Sequence, residues 1–299
     1  MTSVSKSNVQ EKWVDDLEIE PDQVDTDYVA QIGSSIMRGD LLFAPLNLVQ
    51  VPTTFFDQSA MVALLDALNY LRQICGQDKI GASTDRLHIV QDQSYDQTIG
   101  SSYGFEMGGR VYLPNRSRDR SDHFAHALSH ELAHLSSFFR LRVTLAGQGK
   151  QANIVEVKAL RSGLRLLGDA GGTEFCGLNE AVTEYVALLA RHKVASGVGP
   201  FAQHCAATRY KMIGHLSTCA AIIALLKKLV ASQVRPAWIH ATEIWRRLMI
   251  DYWSGSDEFL EIIRQTDAVL YDDLRQLGTD QTAALDFARK HGLSLTNRG

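Results

Sequence analysis

Residues 129–137 read SHELAHLSS and place two histidines, His130 and His134, four positions apart with Glu131 directly after the first. On an α-helix this spacing brings both side chains to one face, one turn above the other. Both imidazoles can then reach a single ion at about 2.0–2.1 Å. Glu131, turned roughly 100° from His130, can stand beside that ion without binding it and take a proton from a metal-bound water. Leu128, Leu132 and Leu135 give the helix an apolar back, and Ala133 leaves room beside the ion. By chance the pattern occurs on the order of once in fifty chains of this kind, so its surroundings decide its weight.

Two more histidines, His123 and His126, precede the pair. His126, His130 and His134 share a face, but the outer two are separated by about 12 Å along the axis, too far for one ion. His130/His134 encloses a glutamate, whereas His126/His130 encloses Ala127. The former is therefore the metal pair, and His123 and His126 are expected at the solvent surface or behind the ligands.

Outward from this helix, the pattern predicts a mixed fold. FFDQSAMVALLDALNYLRQICG, residues 55–76, has apolar residues at helical spacing, with Gly76 as the stop. RLHIVQD at 86–92 predicts a short strand. SYGFEMGGRVYLPNR at 102–116 predicts a hairpin turning at Gly108-Gly109 and ending at Pro114. Its second strand, RVYLP, is the candidate edge on which an extended substrate pairs. The metal helix starts at Ser121 or Asp122 and runs to about Phe138. Val143 and Leu145, then Ile154, Val155 and Val157, predict a second hairpin followed by an irregular loop. Helical spacing resumes in GLNEAVTEYVALLARHKV, residues 177–194. From Phe201 helix follows helix, with breaks near 233–236, 254–255 and Gly278.

The fold class expected is α+β. Residues 1–27, polar and acidic, predict a flexible arm. An α/β lobe then spans 28–196, and an all-α lobe that closes the cleft spans 197–299, with the boundary at SGVGP, 196–200.

With 299 residues, 45% hydrophobic and 21% charged, the chain can bury a sizeable core. A net charge of −4 and a pI near 6.2 offer no footprint for nucleic acid, and no basic block suggests a membrane surface. The acidic N-terminus has no secretory apolar stretch. The longest apolar run, LSTCAAIIALLKKLV, is broken by Lys227 and Lys228. A cytoplasmic protein is expected, with export by a non-classical route left open. Four cysteines without a CxxC pair read as reduced thiols, Cys176 being a remote candidate for the metal.

A catalytic zinc takes three protein ligands and keeps a fourth position open. Glu174, in a Gly-rich loop, is one candidate for the third. The other lies in NEAVTE, residues 179–184. HELAH followed by NEAVTE resembles the gluzincin metallopeptidases, the clan of thermolysin. The resemblance implies that Glu180 is the third ligand, with Asn179, Ala181 and Thr183 at the matching positions of the glutamate helix. It implies that Glu184, where the family usually has Asp, hydrogen-bonds a ligand histidine. It covers two short helices, and the stretch between them is longer than in thermolysin. The fold it implies is a zincin-like lobe, a small mostly antiparallel sheet with the active-site helix, holding one Zn2+ per chain. The implied activity is hydrolysis of a peptide or protein substrate through a zinc-bound water activated by Glu131. The donor to the oxyanion, Tyr or His in this clan, is expected from the helical half. Tyr210 is the candidate, with His204, His215, His240 and Tyr252 as rivals. The competing expectation is a non-hydrolytic zinc-containing binding or regulatory module on the same fold.

Overall fold

The computed structural model describes residues 14–21, 26–37, 48–146, 153–167, 172–208 and 241–292. The chain begins with β1 (Asp16–Pro21) and α1 (Thr26–Met37), followed by β2 (Gln50–Val51). Thr54 then opens α2 (Phe55–Ile74) with a capping box. Its Oγ1 accepts from Asp57 N–H at 3.2 Å, and the Asp57 carboxylate accepts from Thr54 N–H at 2.6 Å. Gly76, at φ 75°, ends that helix as its position suggests.

Next come β3 (Leu87–Val90), α3 (Asp92–Thr98) and the hairpin of β4 (Phe105–Met107) and β5 (Arg110–Pro114). Gly108 and Gly109 turn the hairpin at φ 59° and 72°, the two positive values that a tight two-residue turn demands. The helix carrying HELAH is α4 (Ser121–Leu135). A long hairpin of β6 (Phe139–Ala146) and β7 (Asn153–Ser162) leads to β8 (Arg165–Leu167), β9 (Thr173–Glu174), α5 (Cys176–Ala195) and α6 (Pro200–Thr208). The last described helices are α7 (Ala241–Ser254), α8 (Glu258–Thr266), α9 (Ala268–Gln276) and α10 (Gln281–Lys290). The fold is α+β, and none of its described helices is long and apolar enough to cross a membrane.

The strands form two mixed sheets, ordered β2-β3-β5-β4 and β1-β6-β7-β8-β9. In the first, β3 runs parallel to β5 and the other pairs are antiparallel. RVYLP is therefore not an edge. β5 lies between β3 and β4 with both of its ladders used, and among the described residues the outermost strand on that side of the sheet is β4. The loop predicted after the second hairpin is also more regular than its composition suggests. The chain turns at Gly163, φ 59°, and continues as β8.

The segment read as an arm likewise supplies a strand, β1, which pairs in parallel with β6. Its sequence DLEIEP alternates. Leu17 and Ile19 pack on the small core of Leu141, Val143 and Leu145, while the Glu18 carboxylate accepts from both Arg140 and Arg142. Period-two alternation is the strand signal that an averaged composition conceals.

One apolar core joins α2, β3, β5, α4 and α5 to α7, α8 and α9, with Leu64, Leu128, Leu132, Val182, Leu248 and Trp253 within it. The described helices after residue 241 thus share the core of the first half. Two contacts position the site. Arg72, only 3% exposed, donates to Ser136 O at 2.6 Å and to Asp78 O at 2.8 Å, meeting the negative end of α4. At the start of α5, Phe175 adopts φ 58° with its ring buried against Tyr271. Its N–H donates to Arg275 O at 2.8 Å, and Gly177 N–H donates to Leu277 O at 2.8 Å. Carbonyls leaving α9 thus satisfy N–H groups at the start of α5.

A Cβ added at Gly177 would stand 2.4 Å from Gly278 O, a backbone atom. Gly177→Ala should therefore cost about 1–3 kcal/mol of stability as an overpacked contact. Urea unfolding checks this, and an unchanged midpoint would show that the first turn of α5 is not held there.

Candidate metal centre

α4 and α5 pack together and build the site between them. His134 Nε2 lies 3.1 Å from His130 Nε2. Glu180 Oε2, from α5, lies 3.3 Å from His130 Nε2 and 3.4 Å from His134 Nε2. Ligands bound tetrahedrally at 2.0–2.1 Å stand about 3.3–3.4 Å apart, so this triangle has the size of one face of such a tetrahedron. Two imidazole nitrogens facing each other at this distance share at most one proton, and a cation between them relieves the opposed lone pairs. The donor set fits a metal ion, and no other group of His, Cys, Asp or Glu among the described residues does. The three side chains keep 13%, 16% and 19% of their surface exposed, which leaves the fourth position facing a cleft.

Both histidines are held from behind. His130 Nδ1–H donates to Glu184 Oε2 at 3.0 Å, which fixes the tautomer and turns the Nε2 lone pair toward the triangle. Glu184 is fully buried, and its other oxygen lies 3.5 Å from Arg191 Nη2, also fully buried. Arg191 Nη1 donates to His126 Nδ1 at 2.7 Å and to Ser129 Oγ at 3.3 Å. Burial, aided by Arg191 and opposed by Glu184, depresses His126 to about 4. His126 is thus a neutral acceptor behind the ligands, and its 3.5 Å approach to Glu184 is no ion pair. Burial alone would raise Glu184, yet the His130 hydrogen bond and the nearby positive charges bring it to about 2. Burial likewise opposes ionisation of the ligands, but Glu180 and Glu184 hold His130 well above its ordinary value, and the histidines hold Glu180 well below its own.

His134 turns its Nδ1 to Thr183 Oγ1 at 3.5 Å, a long contact. Thr183 Oγ1 donates to Asn179 O at 2.9 Å and stands 3.0 Å from Tyr252 Oη, which donates to Ala133 O at 2.9 Å. Asn179 Oδ1 accepts from Leu164 N–H at 2.9 Å and ties the β7–β8 turn to α5.

The cleft measures about 530 Å³. Its walls come from β4 with its flanking glycines and from Phe139, Ala159, Ser162, Arg165 and Leu167, and His130, Glu131, His134 and Glu180 face into it. Glu131 accepts from Glu106 N–H on β4, which aims its carboxylate. Burial pushes the Glu131 carboxyl up, and His130 and His134 offset part of the rise. Burial also pushes Glu106 up to about 7, while its carboxylate accepts from Gly109 N–H at 3.0 Å. Gly104 makes the space for Glu131, because a Cβ there would stand 2.7 Å from Glu131 Cγ.

The structure brings together His130, His134 and Glu180, with Glu131 beside them and Glu184 and Asn179 behind. Other candidates fall elsewhere. Glu174 faces Arg275 at 3.9 Å, and Cys176 is a free thiol outside the triangle. His204 packs on the Phe56 ring, 5.3 Å between centroids, beside a different pocket. Tyr252 is fully buried behind His134 and does not line the cleft. Tyr210, His215 and His240 lie outside the described residues. No described residue after 196 lines the cleft, so closure by that half of the chain is not seen among them. Sequence reasoning missed Gly104, Glu106 and Arg191. A glycine bordering a strand marks close approach, and Arg191 stands seven positions after Glu184, near the same helix face.

No family model, curated protein or solved structure matches this chain.

His130→Ala, His134→Ala and Glu180→Ala should each lose most of the metal affinity, and Glu184→Ala should weaken it about 10–100-fold. Competition with a chromophoric chelator measures this. A greater loss in Glu184→Ala than in Glu180→Ala would exchange the two carboxylates.

Proposed function

We propose that this protein is a zinc-dependent peptidase. One observation carries the reading: two imidazole nitrogens and a carboxylate oxygen, 3.1–3.4 Å apart, open onto a cleft beside a glutamate that is not one of them. Two histidines and a glutamate with an open fourth position form a known catalytic zinc set. Bound there, the ion would supply a Lewis acid that polarises a carbonyl and acidifies water.

The chain's own residues divide the remaining work. Glu131, aimed by Glu106 N–H, takes a proton from the attacking water and returns it to the leaving amine. Glu184 keeps His130 in one tautomer, and Thr183 backs His134. β4, the outer strand on its side of the sheet among the described residues, borders the cleft and leaves Glu106 C=O for an extended backbone, the Glu106 N–H being held by Glu131. Phe105, Met107, Phe139 and Leu167 supply apolar surface for substrate side chains. The order of HELAH and NEAVTE, which resembles that of the gluzincins, supports the same reading. A purely structural or regulatory zinc has no use for Glu131, a 7% exposed carboxylate kept beside the ligands and held by a β4 N–H.

Glu131→Gln should keep about one zinc per chain and the wild-type melting temperature while hydrolysis of a fluorogenic peptide library falls by about 10²–10⁴-fold or more. An active variant would require a different base. A zinc-loaded wild type that cleaves no peptide would favour the non-hydrolytic module.

Gly104→Ala should act through the same group. The added methyl displaces the Glu131 side chain, so kcat should fall by about tenfold or more with zinc content unchanged. Wild-type kcat in that variant would mean that Glu131 has room to move without consequence.

A further inference from the structure

Arg165 opens β8 and lines the cleft together with the metal triangle. Its Nε is buried and has no hydrogen-bond partner, and no carboxylate among the described residues lies within ion-pair distance of its guanidinium. The acids of the same cleft are engaged elsewhere. Glu180 completes the triangle, Glu131 accepts from Glu106 N–H, and Glu106 accepts from Gly109 N–H at 3.0 Å. A buried Nε–H without an acceptor is costly to maintain unless something brings one.

Its position is also fixed relative to the ligands. Arg165 pairs with Ser162 across the β7–β8 ladder, and its neighbour Leu164 donates its N–H to Asn179 Oδ1 at 2.9 Å. Asn179 directly precedes Glu180. A single hydrogen bond thus ties the neighbour of Arg165 to the neighbour of a metal ligand. Apolar Phe139 and Leu167 share the wall and strengthen any charge-assisted contact made there.

We propose that Arg165 binds a carboxylate of the substrate, either an acidic side chain or the free carboxyl of a chain end. The planar fork of a guanidinium matches a carboxylate through two parallel N–H···O bonds. The identity of the bond that is cut rests on the peptidase reading, whereas capture of the anion by Arg165 does not depend on catalysis.

Three N-acetylated synthetic peptides of equal length test this: one ends in a free carboxylate and has no acidic side chain, one is amidated with an internal glutamate, and one is amidated with glutamine in its place. Binding is measured by calorimetry to zinc-loaded Glu131→Gln protein, then in the same background with Arg165→Gln or Arg165→Lys. At least one carboxylate peptide should bind about tenfold or more tighter than the neutral one, and that preference should vanish in Arg165→Gln. The peptide that shows it identifies the source of the carboxylate. Arg165→Lys keeps the charge without the fork and should retain an intermediate preference, which also covers a glutamine variant that fails to fold. Equal binding of all three peptides, or no binding of either carboxylate peptide, overturns the proposal. So does a preference that survives Arg165→Gln, which would place the anion on the metal instead. Cleavage by the wild type is scored separately, and its absence with the Arg165-dependent preference intact would sink the peptidase reading alone.

Discussion

The rotation of α5 about its own axis is the constraint on which the site depends. Glu180 and Glu184 stand one turn apart and must both meet His130, the first at Nε2 and the second at Nδ1. A slip of one residue would swing both carboxylates by about 100° and empty the triangle of its oxygen. Three ties prevent that slip. The first turn is bonded to carbonyls at 275 and 277, Asn179 is bonded to Leu164, and Arg191 at the far end reaches His126 and Ser129 on α4. Phe175 sits in the left-handed region at φ 58°, a conformation that costs about 1–3 kcal/mol and persists only where packing over-determines it. The buried ring and the N–H bonded to Arg275 O provide that packing.

Burial separates the roles of two chemically identical acids. Glu184 is fully buried between a guanidinium and an imidazole, so its charge serves orientation. Glu180, with 19% of its side chain exposed, faces the open position and can share its charge with an ion. The buried Arg191–Glu184 pair is weak evidence for stability, since desolvation offsets much of the attraction. Its value lies in specificity. Arg191 donates to His126, which forces that histidine to remain a neutral acceptor and removes it as a rival ligand beside His130.

How much of this is legible in the sequence differs from element to element. The helix carrying HELAH, the Gly108-Gly109 hairpin and the stop at Gly76 are local, decided by residues within a few positions of one another, and they form where the pattern places them, except that the helix ends at Leu135 rather than near Phe138. Glu180 is reachable only through the resemblance of NEAVTE to a family, because residues 50 positions away carry no periodic signal toward His130. β1 is hidden by the acidic average of its surroundings. The interior position of β5 depends on β3 arriving in parallel on its other side, a long-range choice that neither strand encodes alone. The seating of α5 on residues 275–277 joins segments about a hundred positions apart, and its one local trace is the glycine at 177 in the first turn of a helix.

The glutamate at 184, where the gluzincin pattern has an aspartate, follows from the same geometry. A side chain shorter by one methylene would end about 1.5 Å earlier. At the present separation of α4 and α5, Glu184 Oε2 just reaches His130 Nδ1 at 3.0 Å, and Oε1 is left near Arg191 at 3.5 Å. An aspartate could satisfy one of these contacts by moving the helices together, but Ser129 and Thr183, both fully buried, already meet the facing helix, Ser129 Oγ accepting from Arg191 at 3.3 Å and Thr183 Oγ1 standing 3.5 Å from His134 Nδ1. The longer acid and the arginine behind it therefore belong together. The extra methylene carries the carboxylate across the gap to His130, and Arg191 supplies the positive charge that a buried, extended carboxylate needs once it has left its own helix.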